Sequence, residues 1–216
     1  MIPARAPEPP EPPEPVPAWL RELAAAARTL EISPLLVPPA TGGRPSAVLV
    51  LFGEGPGGPD LLFIQRSSRL RLHAGQPAFP GGAIDDGDGG PVGAALREAA
   101  EEVGLDPGGV EVVGTLPEAF IPRTGFRVVP VLAWWRRPSA VAPVDVAEVA
   151  AVERVSVAEL ADPGTRLLVR VPDGRTTPAF RVRGMLIWGF TAVLVDRLLA
   201  LGGWEKPWDP GVIADL

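Results

Sequence analysis

The sequence predicts an α/β domain in which a mixed sheet packs against helices. Three observations carry that expectation. Short runs rich in branched and aromatic residues recur along the chain, three longer segments have helical composition, and Gly-, Pro- and Asp-rich turns separate them. Of 216 residues, 46% are hydrophobic and 21% charged, enough apolar surface for a core of ordinary size, so wholesale disorder is excluded. That length suits one compact domain with appendages, which we place at residues 18–205 between tails at 1–17 and 206–216.

The first tail alternates Pro and Glu and reads as a solvated, polyproline-like arm. Residues 18–30 are strong helix formers with Trp19, Leu23 and Ala27 on one stripe, and the breakers Ser33-Pro34 and Pro38-Pro39 follow as a linker. Residues 47–52 and 61–65 are expected as strands joined by a flexible hairpin loop over 53–58. After a Gly- and Asp-rich loop at 81–90, residues 91–103 form a helix, with Pro91 suited to its first turn and Gly104 to its C-cap. Residues 110–113, 126–134, 149–157, 167–171 and 180–182 continue the strand series and complete a mixed sheet. Residues 186–201, apolar nearly all round, are expected as a helix lying on it.

Composition also limits function. There are no cysteines and a single histidine, His73, so thiolate chemistry, Cys-ligated zinc and any site needing two histidines are excluded. A net charge of −6 without a long basic block gives no support to nucleic-acid binding. No apolar run approaches the ~18 residues of a membrane span, and the N-terminus lacks a signal-peptide layout, so a cytoplasmic location is expected. A homodimer is compatible with the sequence.

Chemistry concentrates in Arg97-Glu98-Ala99-Ala100-Glu101-Glu102. Glu98 pairs with Glu102 at i,i+4 and with Glu101 at i,i+3, so three carboxylates are expected on one helix face. Such repulsion is relieved by solvent, by Arg97, or by a divalent cation, and an all-oxygen donor set favours Mg²⁺ or Mn²⁺ over zinc. The upstream Phe79-Pro80-Gly81-Gly82 would let main-chain groups, those of Gly81 and Gly82, approach an ion and a phosphate chain closely.

These residues resemble the Nudix box, G-x5-E-x7-R-E-U-x-E-E-x-G-U, whose second half is matched by Arg97 to Leu105. In the first half, Asp88 stands where Glu is expected from Gly82, and the loop carries one extra residue. Asp88, Asp85 and Asp86 are candidate replacements for that ligand. The stretch from Leu61 to Gly82 is similar to the signature preceding the box in coenzyme A pyrophosphatases, and 124–130 and 187–192 also look like that subfamily.

The resemblance implies an α/β/α Nudix sandwich with a loop–helix–loop box, and metal-dependent hydrolysis of the pyrophosphate bond of coenzyme A or a derivative. It implies metal ligands at Glu98, Glu101, Glu102 and the Gly82 main chain, with Glu148 as a candidate base. Guanidinium groups bind phosphate bidentately, so Arg66, Arg69 and Arg71, with Gly81 and Gly82, are candidate substrate contacts. His73 is read as a structural hydrogen-bonding group, and Phe79, Trp134 and Trp135 as core. The alternatives are another substrate, such as ADP-ribose, or a Nudix-like module that binds a nucleotide without cutting it.

Overall fold

A computed structural model describes residues 15–30, 42–70, 73–171 and 174–216. Most of the acidic tail, the Ser33–Pro39 linker and Arg71 lie outside the described residues. In chain order the elements are α1 (Ala18–Ala27), β1 (Arg44–Gly55), β2 (Gly58–Arg66), β3 (Pro77–Ala78), β4 (Gly81–Ala83), α2 (Pro91–Val103), β5 (Val110–Thr115) and β6 (Ala119–Ile121). They continue with β7 (Phe126–Trp135), β8 (Val149–Ser156), α3 (Val157–Leu160), β9 (Arg166–Arg170), β10 (Thr176–Val182), β11 (Met185–Ile187), α4 (Gly189–Leu201) and β12 (Ile213–Asp215).

The main sheet runs β3-β2-β1-β7-β5, with β4 also on β1, β6 on β7 and β8 on β2. It is mixed: β1 and β7 are parallel, and β1 and β2 antiparallel. Side chains alternate across β1. Ala47, Leu49 and Leu51 face one core with Ala94, Ala95, Ala99 and Val103 of α2, while Val50 and Phe52 face the other with α1 and α4. The chain is therefore an α/β/α sandwich, as the sequence predicts. Trp134 and Trp135, adjacent on β7, fall into opposite cores, each about 1% exposed, which makes both structural.

Four expectations change in detail. The hairpin between β1 and β2 is tight rather than flexible, because Gly53, Glu54 and Gly55 stay paired with Asp60, Pro59 and Gly58, and Arg154 donates to the Glu54 carbonyl at 3.0 Å. The later strands do not all join one sheet: β9 and β10 form a second, four-stranded sheet in the order β11-β10-β9-β12. The last helix begins at Gly189, since Met185–Ile187 pair back onto β10. Residues 213–215, read as tail, pair in parallel with β9. Nearby, fully buried Arg166 holds Asp196 of α4 and Glu205 together, and its guanidinium lies over Phe180 and Trp208.

Candidate functional site

The carboxylate helix is delimited as expected. Pro91 lies in its first turn, and Gly104 caps it in the left-handed conformation at φ 69°, its N–H donating to Ala99 and Ala100. Around α2 the stripe Ala95, Ala99 and Glu102 faces the sheet, so Glu102 is drawn into the protein with 8% of its side chain exposed. Glu98 flanks that stripe at 20%. Glu101 does not share their face: it lies about 100° round the helix from Glu102, is 60% exposed, and pairs with Arg97 at 2.9 Å.

Strand β4 brings two glycines against this helix. Its pairs Ala47↔Gly82 and Val48↔Gly81 on β1 fix the backbone, and the Gly81 N–H donates to Glu102 Oε2 at 3.0 Å. A side chain at Gly81 would run into backbone, and one at Gly82 would have to displace the Glu98 carboxylate. A Cβ on Gly81 would stand 2.3 Å from the Ala47 carbonyl oxygen, and one on Gly82 would stand 2.3 Å from Glu98 Oε1. The motif's glycines thus serve close approach between strand and carboxylate.

The extra residue in the box loop is absorbed by a 3₁₀ turn at Asp86–Asp88. Arg97 reaches back to it, donating to Asp88 Oδ1 at 2.7 Å, to Asp88 Oδ2 at 3.1 Å and to the Ala83 carbonyl at 3.0 Å. Asp88, 4% exposed, is held below the usual carboxylate range by these bonds. Its carboxyl therefore latches loop to helix and is committed to Arg97. Asp85 is a looser contact of the same guanidinium at 3.7 Å.

Electrostatics single out Glu102. Burial pushes its pKa up to about 7, against partial relief from the Gly81 N–H and from Arg66, whose Nη1 is 3.6 Å from Oε1. The charges of Glu98 and Glu148 raise it further. Glu98 is raised as well, again chiefly by burial. Glu148 is exposed on the segment before β8, its carbonyl accepting from the Ser67 N–H at 2.8 Å.

Among the described residues, no three His, Cys, Asp or Glu side chains converge tightly enough to enclose an ion. The donor set nonetheless fits a hard dication. It is all oxygen, and a cation beside Glu98 and Glu102 would offset the burial that raises both carboxyls and the repulsion from Glu98 felt at Glu102. Glu101 joins it only by leaving Arg97.

A cavity of about 720 Å³ opens beside Gly81 and Gly82 and extends past Arg66 to the second sheet and the start of α4. His73 lines it, with Nδ1 2.6 Å from Gln76 Oε1, in keeping with a structural role. Phe79 is buried against Phe63 and shows one side to the cavity. Arg69 is exposed and outside the cavity wall. Reasoning on the upstream arginines missed Arg123, Arg175, Trp188 and Phe190, which do line it. For Trp188 and Phe190 the signal lay in 187–192, whose resemblance did not indicate that this stretch meets 124–130 at one cavity, while Arg123 and Arg175 lie outside both stretches.

A family model described as the NUDIX domain matches residues 43–179. An uncharacterized Nudix hydrolase, NudL, of Escherichia coli (strain K12) is 53% identical over 89 residues, covering 41% of this chain and 45% of that protein. NudL of Shigella boydii serotype 4 (strain Sb227) matches with the same identity and coverage. The chain thus spans less than half the length of the curated relatives it matches. Among solved structures, a Nudix hydrolase from M. smegmatis, RenU, superposes with a TM-score of 0.53 at 23% identity, covering 78% of this chain and 91% of that one. At that identity the likeness is one of fold.

Proposed function

The chain belongs to the NUDIX domain family, and from that premise we propose that it hydrolyses the pyrophosphate bond of coenzyme A or a derivative, releasing 3′-phosphoadenosine 5′-phosphate and 4′-phosphopantetheine. The observation that carries the reading is that Gly81 and Arg66, both in the wall of one large cavity, each contact the Glu102 carboxylate. Arg66 comes from the stretch similar to the coenzyme A pyrophosphatase signature, and the other two segments with that resemblance supply the cavity's far walls.

In this reading Glu98, Glu102 and the Gly82 carbonyl would hold Mg²⁺ or Mn²⁺, with Glu101 joining them on leaving Arg97, and the bound ion would neutralise pyrophosphate charge and acidify water at neutral pH. Arg66, fixed on one side by Glu102, offers its remaining N–H groups to a phosphate; its Nε is buried and without a partner. Water attacks one phosphorus, the bond from that phosphorus to the bridging oxygen breaks, and the water proton passes to a carboxylate. Glu148, whose charge is felt at Glu102, is our candidate acceptor. The proposal places the reaction in the cytoplasm, on a small molecule rather than a nucleic acid. No helix among the described residues is long and apolar enough to cross a membrane.

Chromatography of products from coenzyme A, ADP-ribose and NADH, with Mg²⁺ or Mn²⁺ and with a chelator, tests the reading. Coenzyme A should be cut only with metal; cleavage confined to ADP-ribose would move the substrate, and no cleavage would favour a binding module. Two variants refine the roles. Glu148→Gln should lower kcat at least tenfold, and unchanged turnover would remove Glu148 as proton acceptor. Gly82→Ala should cost about a hundredfold in kcat, because its methyl displaces the Glu98 carboxylate, and normal kinetics would refute that close approach.

A further inference from the structure

The matched NUDIX segment ends at residue 179, and the C-terminal strap from Gly203 to Leu216 lies beyond it. The strap nonetheless binds back onto the domain along its length. The Trp204 N–H donates to the Leu199 carbonyl at 3.0 Å, and its ring stands edge-on to Trp19 of α1 with 5.2 Å between centroids. Further on, Glu205 and Trp208 close over Arg166, and β12 pairs Ile213, Ala214 and Asp215 with Leu168, Val169 and Arg170 of β9.

Arg166 is the point where these contacts converge. Its side chain is 1% exposed, and a cation so buried is sustained only when its charge and its N–H groups are matched. Half of the match comes from the domain, as Asp196 of α4 and the Phe180 ring of β10. The strap supplies the other half: Glu205 accepts at 3.2 Å, and the Trp208 ring centre lies 4.6 Å from the guanidinium carbon. A planar guanidinium can bond two carboxylates while lying over aromatic faces, which an ammonium cannot do. The contact between α4 and β9 and the docking of the strap therefore support each other.

The elements joined in this way build the far side of the cavity. Helix α4 contributes Phe190, Thr191 and Val193, with Asp196 a turn further on. The second sheet contributes Val171, directly after β9, and Thr176 and Thr177 of β10. Arg166 itself does not line the cavity.

We propose that Arg166 is a positioning residue for substrate binding: clasped by Glu205 and Trp208 of the strap, it locks α4 to the second sheet and so sets the shape of the cavity. The clasp goes beyond the coenzyme A reading and holds whichever substrate fills the cavity.

Two arms on the full chain test it, with Trp208→Ala, Trp208→Phe, Glu205→Gln and Arg166→Lys. In the first, hydrogen exchange is followed by mass spectrometry without substrate. Trp208→Ala and Arg166→Lys should lower protection in α4 and β9 about tenfold and leave α2 and β7 unchanged, with Glu205→Gln intermediate and Trp208→Phe close to wild type. Unchanged protection of α4, or an equal loss throughout the chain, overturns the clasp. In the second, kcat and KM are measured for coenzyme A with Mg²⁺. KM should rise about fivefold in Trp208→Ala and Arg166→Lys while kcat stays within about twofold, and Trp208→Phe should restore KM. An unchanged KM, or a fall in kcat alone, overturns the positioning role. Wild-type protein that leaves coenzyme A uncut defeats the proposed reaction instead, and the exchange arm then decides the clasp.

Discussion

Glu98→Gln is expected to lower kcat about a thousandfold, with the melting temperature nearly unchanged. The isosteric amide keeps the shape that fits against Gly82 but removes the charge a dication needs. Because Arg97 already has Asp88 and Glu101 as partners, losing its 3.1 Å contact with Glu98 leaves the guanidinium satisfied. Glu102→Gln should lose activity on the same scale. Wild-type turnover in either variant, measured at saturating Mg²⁺, would remove the proposed metal ligands.

A second large effect is expected in the stability of the metal-free protein. Glu102 has a folded-state pKa of about 7 against an ordinary 4.5, so between these values the fold keeps a proton that the unfolded chain has released. Its contribution to stability is complete below pH 4.5 and is lost as pH rises through 7, a difference of roughly 3 kcal/mol. Gln in its place stays neutral and can still accept from the Gly81 N–H. Glu102→Gln should therefore be more stable than the wild type at pH 8 in chelator, by up to about 3 kcal/mol, and no more stable at pH 4. Urea denaturation at the two pH values measures this; a variant less stable at pH 8 would show that Glu102 is held ionised by the apoprotein.

Much of the fold was legible because its signals are local. Pro91 and Gly104 mark both ends of α2, and the branched runs of β1, β2 and β7 carry their own periodicity. The misses are elements whose existence depends on a distant partner. Strands β4 and β12 are three residues each and gain their pairing only from β1 and β9. The glycines of the β1–β2 hairpin read as a loop until Arg154, a hundred residues on, is seen holding the Glu54 carbonyl. In the site, the spacing correctly grouped Glu98 with Glu102, but it could not tell which carboxylate the sheet would bury. Glu101 turns outward because helical rotation, not proximity in sequence, decides the face, and Asp88 is claimed by Arg97 through a loop geometry that motif counting does not encode. The aromatic wall from α4 was invisible for the same reason: residues 124–128 and 188–193 meet only in the folded chain.

We propose that the turn of α2 beside Gly81 and Gly82 holds a divalent cation, and calorimetric titration with Mn²⁺ tests this. Wild-type protein should bind Mn²⁺ at pH 8, more weakly as pH falls below about 7 and Glu102 takes up its proton. Glu102→Gln should weaken binding at least tenfold and abolish that pH dependence, while Glu153→Gln, whose carboxylate pairs with Arg183 instead, should match the wild type. Equal Mn²⁺ affinity in wild type and Glu102→Gln across pH 6 to 8 would show that Glu102 takes no part in holding the metal.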